Sequence, residues 1–135
     1  MRLSRWITAG VTVVAAFAVG GLALAAAGPV DVSGSSPFAG CTVGGPGTNF
    51  VNSEVEPFVA VNPANPSNIV GVFQQDRWNN GGAHGLVAST SHDGGATWTE
   101  SWAHFSNCSG GTAANGGDYG RASDPWVTFA PNGDV

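Results

Sequence analysis

Residues 91–100 read SHDGGATWTE, and this decade decides the fold. From Ser91 to Trp98 it places a carboxylate, two glycines, two hydroxyls and a tryptophan within one turn's length. A tight hairpin leaves backbone N–H groups pointing inward without ladder partners. Asp93 can accept several of them, as in an Asx turn. Gly94 or Gly95 can take positive φ without a steric penalty. Ser91 and Thr97 can complete the polar network, and Trp98 supplies a large apolar surface to wedge between layers. Each residue type has a structural task, so Asp93 reads as the fastener of a turn and not as an acid, base or nucleophile.

Outward from this turn, short apolar runs alternate with turn residues. Residues 57–62 (PFVAVN), 69–75 (IVGVFQQ), 85–91 (GLVASTS) and 98–105 read as strands. In the third, Val87 and Ser89 fall on one face, and Leu86, Ala88 and Thr90 on the other. Past residue 27, no segment carries a helical apolar period over three turns. The fold class is therefore all-β. Four short strands with tight connections make an antiparallel meander, which is one β-propeller blade in size and order.

A repeat supports that architecture. EPFVAVNP begins at Glu56 and DPWVTFAP at Asp124, 68 residues later. Both read acid, Pro, aromatic, Val, any residue, apolar, any residue, Pro, and a polar turn and a valine follow. Repeats of this length and strand content indicate propellers or solenoids. The expected organisation is an extended Gly/Ser/Pro-rich lead-in over residues 28–52 and a partial propeller over 53–135. Its first blade runs to about 108, and a second begins near 121. One blade plus the start of another is an incomplete propeller, which must be finished by missing blades of the same protein or by other copies.

Residues 1–27 combine a basic start (Arg2, Arg5), an apolar middle and an Ala-Ala-Ala end. This reads as a secretory signal peptide cleaved after Ala27; the alternative is an uncleaved anchor. The expected location is secreted, with no membrane contact beyond this segment. From residue 28 onward, two arginines stand against nine carboxylates and lysine is absent, leaving a net charge of −7. That balance excludes nucleic acid as a partner. Cys41 and Cys108 read as a disulfide in an exported chain, or else as two buried thiols. His84, His92 and His104 sit at no metal-ligand spacing and read as surface or packing residues, and no CxxC or Cys/His cluster suggests zinc.

The stretch Ser91-x-Asp93-x-Gly95-x-Thr97-Trp98 resembles the Asp-box, or bacterial neuraminidase repeat. With the phrases VEPFVAVNPANPSNIVGVFQQDRW and GGDYGRASDPWVTFAPNGD, the chain from about residue 52 to 135 resembles secreted bacterial sialidase-like (exo-α-sialidase) propellers. The resemblance implies a glycan or glycoconjugate partner. It also implies a full-length form that hydrolyses terminal sialic acid or a related glycoside, the residues in hand being inactive alone. A non-catalytic extracellular propeller that binds glycan or protein is the alternative. Sialidases of this kind clamp a carboxylate with three arginines and attack with a tyrosine. Only Arg77 and Arg121 are present beyond the signal, the expected Arg-Ile-Pro phrase is absent, and the single tyrosine, Tyr119, lies too early.

The best site candidate is Asp76-Arg77-Trp78, a charged pair beside an aromatic, leading into the loop NNGGAHG. Its structural counterpart is Arg77 pairing with Asp76 or stacking on Trp78. The second candidate is the segment 118–124, with Arg121 and Asp124, which enters the next blade and can line a central mouth. Its counterpart is a salt-bridged strand entry. No cofactor is required. Calcium on Asp76, Asn79, Asn80 and Asp118 is conceivable from ligand type, although no EF-hand or nonapeptide pattern is present.

Overall fold

The computed structural model describes residues 28–135; the signal segment expected over 1–27 lies outside them. Four strands form one antiparallel sheet in the order β1-β2-β3-β4: β1 Asn49–Val61, β2 Ile69–Trp78, β3 Ala83–Ser91 and β4 Thr99–Trp102. A short 3-10 turn, Asn107–Ser109, follows. The all-β antiparallel meander is thus present. The sheet is open, however, and forms no closed propeller.

β2 is central, and its residues from Phe73 to Asp76 are all buried. Its register with β3 is regular, with Phe73 opposite Val87 and Gln75 opposite Gly85. Phe73 and Val87 meet Phe38 in the buried apolar cluster, and Cys108 packs against it. Trp102 presents its ring edge-on to Phe38, with centroids 5.7 Å apart. The lead-in is therefore more than a linker, because residue 38 completes the core. Val32 adds to this cover, its carbonyl accepting a 2.7 Å hydrogen bond from Ser89 Oγ.

β1 begins at Asn49, eight residues before the strand expected at Pro57, so residues 49–52 of the lead-in already belong to the sheet. The pairing with β2 is interrupted twice, between Phe50 and Glu54 and between Val55 and Phe58. Asn52 (φ 60°) and Glu56 (φ 53°) lie at these irregularities in left-handed backbone. Bulges break the two-residue alternation by which a strand is recognised. β2 also runs on through Asp76-Arg77-Trp78, past the strand end expected at Gln75. β4 covers only four of the eight residues expected.

Residues 124–130 form no strand, contrary to the second copy of the repeat. Extended backbone needs a ladder partner, and none lies beside this segment among the described residues. It instead lays Trp126 on Phe58, centroids 6.1 Å apart. Glu56 and Asp124, the acids that open the two copies, share left-handed φ values of 53° and 57°.

So small an apolar core needs covalent or polar fastening. The Cys41–Cys108 disulfide spans 67 residues and holds the lead-in to the 3-10 turn, with Cα atoms 5.6 Å apart. Closing such a loop stabilises the fold by about 4 kcal/mol in the chain-entropy account. Arg121 adds a clasp. Its Nε donates to Gly44 O at 2.6 Å, Nη1 to Gly81 O at 2.6 Å and to Asn80 Oδ1 at 2.7 Å, and Nη2 to Pro46 O at 2.7 Å. Its guanidinium lies 4.3 Å from the Trp78 ring centre.

Candidate functional site

The turn between β3 and β4 is a dense hydrogen-bond network, tied to the preceding turn where Gly94 N donates to Ser67 O at 3.0 Å. Asp93 Oδ1 accepts from Ser91 Oγ at 2.8 Å and from Thr97 N at 2.9 Å, and Oδ2 accepts from Thr97 Oγ1 at 2.6 Å. Gly95 N donates to Ser91 Oγ at 2.8 Å, and Trp98 Nε1 to Gly95 O at 3.0 Å. Gly94 and Gly95 take φ of 76° and 94°. Asp93 is exposed, yet the Thr97 hydroxyl, then the Thr97 N–H and the Ser91 hydroxyl, hold its carboxyl down at about 2. The negative form is the one these donors favour, so Asp93 holds the turn as an acceptor.

Asp76 sits at the opposite end of β2 and is fully buried. Its φ of 64° turns the carboxylate inward. Oδ2 accepts from Ser36 Oγ at 2.7 Å and faces His84 Nδ1 at 3.2 Å. Oδ1 accepts from Asn52 N at 2.8 Å and Gln75 Nε2 at 3.2 Å. Four partners satisfy a buried carboxylate, which joins the lead-in, β1, β2 and β3. Asp76, a candidate from sequence, is thus enclosed by protein donors and away from solvent. His84, read from sequence as a surface or packing residue, is buried beside it.

Arg77 neither pairs with Asp76 nor stacks on Trp78. Its Nη1 donates to Gln74 Oε1 at 2.8 Å and lies 3.9 Å from Glu56 Oε1. Gln74 Nε2 in turn donates to Glu56 Oε2 and, at 3.4 Å, to Ser123 Oγ. These four side chains join β1, β2 and the entry to the second repeat copy. Asp124, next to Ser123, is exposed and lines a cleft of about 580 Å³ with Trp126, Trp102, Phe105, Val72 and Leu86. A carboxylate and indole rings on one cleft, with the half-buried Arg77 and exposed Glu56 held together by the buried Gln74 on the same side of the sheet, suit a polar ligand with apolar faces. Of the sequence candidates, Arg77 and Asp124 come to this side of the sheet. Asp76 is buried elsewhere, and Arg121 is occupied by the clasp.

Glu56, Gln74 and Ser123 were not singled out from sequence. The signal was there in Gln74-Gln75, two adjacent amides in an otherwise apolar strand, since buried amides require partners. The oxygens offered for calcium are taken by protein donors: Asn79 Oδ1 by Thr48 N, Asn80 Oδ1 by Arg121, and Asp118 Oδ1 by Asn107 Nδ2. Among the described residues, the metal-capable side chains brought together are Cys41, His84 and Cys108.

No protein-family model, curated protein or solved structure matches this chain.

Proposed function

We propose that residues 49–135 belong to an extracellular Asp-box propeller that engages a glycan at the cleft of Asp124 and Trp126. The observation that carries this reading is the meeting of the two repeat copies. Phe58 and Trp126 occupy the same place in each copy and pack on one another, and Glu56 and Asp124 share the same unusual backbone conformation. Neighbouring blades bring equivalent segments together in this way. The exposed apolar side chains of β1 (Phe50, Val51, Phe58, Val59, Val61) add support, because an edge strand so apolar calls for cover. The disulfide fits an oxidising compartment.

Binding is favoured over hydrolysis by the state of the arginines. Arg121 spends its donors on backbone carbonyls and Asn80, and Arg77 on Gln74 and Glu56, so neither offers a free fork to a substrate carboxylate. Hydrolysis of a terminal sialoside would need arginines and a nucleophile from other blades. The test is a glycan-binding titration with sialylated and neutral oligosaccharides, beside a fluorogenic sialoside assay, on the protein and its Trp126→Ala variant. Binding that Trp126→Ala weakens, without turnover, supports the reading. Turnover would move the assignment to a sialidase, and binding untouched by Trp126→Ala would remove the cleft from it.

A further inference from the structure

We propose that Cys41, Cys108 and His84 form a redox-gated site for a thiolate-binding divalent ion, zinc being the best match. Oxidised, the cysteines are the disulfide; reduced, they and His84 are a Cys2His ligand set. The proposal is independent of the propeller and of any glycan. It starts from an anomaly. His84 is 2% exposed, and its Nε2 is buried without a hydrogen-bond partner among the described residues. A structural disulfide has no need of a buried imidazole beside it, and an unpartnered polar nitrogen in the interior is destabilising.

Nδ1 already faces Asp76, so Nε2 is the nitrogen left to serve as a ligand. One ligand atom from each of Cys41, His84 and Cys108 lies within 4.8 Å of the others. Around a tetrahedral zinc, with Zn–S near 2.3 Å and Zn–N near 2.0 Å, the donor atoms stand roughly 3.5–3.8 Å apart. Side-chain rotation of the separated cysteines covers that difference. His84 Nδ1 faces Asp76 Oδ2 at 3.2 Å. This is the carboxylate–histidine arrangement that fixes the imidazole tautomer behind a metal, with the proton on Nδ1 and the Nε2 lone pair free. Asp76 is in turn held by Ser36, Asn52 and Gln75, so the relay is rigid. Both cysteines are half-exposed, which admits reductant and ion and leaves the fourth position to water.

The chemistry balances. A dithiol reductant gives two electrons and two protons to the disulfide, becoming a disulfide itself and leaving two thiols. Zn²⁺ then displaces the two thiol protons. In reverse, hydrogen peroxide takes two electrons from the thiolates. With two protons it becomes two waters, the Cys41–Cys108 bond forms and the zinc is released.

The test uses the full chain, reduced with a phosphine under anaerobic conditions and titrated with Co²⁺ and then Zn²⁺, with far-UV circular dichroism in parallel. The expected result is one Co²⁺ per chain, a thiolate-to-cobalt charge-transfer band, displacement by zinc, and none of this in the oxidised protein. His84→Ala should weaken binding tenfold or more, and the near-isosteric Asp76→Asn by about tenfold. A missing band, equal binding by oxidised protein, or a His84→Ala titration like the parent's would each overturn the proposal. Reduction can loosen the sheet. Sheet signal kept, or restored by one equivalent of zinc, supports the site, and binding to a chain that stays unfolded defeats it.

Discussion

Phe38 and Gly85 offer a measurement that reads the packing of the lead-in directly. A Cβ built on Gly85 would stand 2.5 Å from Phe38 Cε2 and 2.8 Å from Cζ. Carbon atoms rest about 3.5–4.0 Å apart, so the ring would have to retreat by about 1 Å. Phe73 and Val87 pack against Phe38, and the edge-on Trp102 also confines it. Gly85→Ala should therefore destabilise by roughly 1–3 kcal/mol. Phe38→Ala empties the site and should cost roughly 3–5 kcal/mol, toward the upper end because the nearby Cys41 anchor limits collapse. With the ring gone, the methyl added at position 85 loses its clash, and alanine is better than glycine in a strand by roughly 0.5–1 kcal/mol. In the Phe38→Ala background, Gly85→Ala should then be neutral or stabilising, an interaction energy of about 2 kcal/mol. Urea unfolding followed by tryptophan fluorescence and circular dichroism reads all four corners of the cycle; Phe38→Leu serves if Phe38→Ala does not fold. Additivity within about 0.5 kcal/mol, with an unchanged m value, would refute the placement of Phe38.

Three further expectations follow from the fasteners. Replacing Cys41 and Cys108 by serine should lower stability by about 4 kcal/mol in chelator-treated protein, read as a shift in urea midpoint. Asp93 is held at about 2, below the ordinary carboxylate value. Its contribution is therefore complete above about pH 4 and lost as pH falls toward 2. Asp93→Asn should lower the melting temperature at neutral pH and flatten its decline over that acid window; an identical acid profile in both proteins would discard the turn network as the cause. Arg121→Lys should cost roughly 2–3 kcal/mol despite keeping the charge, because the fork to Gly44, Pro46 and Gly81 is lost. Melting like the parent's would show that the clasp does not hold.

Sequence alone sufficed for four antiparallel strands, because inward and outward positions alternate along β3 and turn residues punctuate the chain. It also paired the cysteines, because two thiols in an oxidising setting leave one possible bridge. The residue types of the 91–98 turn were legible because the side-chain hydrogen bonds there lie within seven residues, while the Gly94 N–H reaches outside, to Ser67 O. Other features depended on contacts between distant segments. Phe38 enters the core from a Gly/Ser/Pro-rich stretch with no periodicity. Bulges at Asn52 and Glu56 hid the first half of β1. Asp76 and Arg77 are adjacent in sequence, yet they leave β2 for different surroundings, one into a buried network and the other toward Glu56. His84 reaches Cys41 and Cys108 only when β3 is laid under the lead-in and the 3-10 turn. Local patterns record where a chain extends or turns, since these choices are settled within a few residues. Which side chains become neighbours depends on register and on how the covering segments fall across the sheet. Only the tertiary structure decides that, because packing energy is shared among residues far apart in the chain.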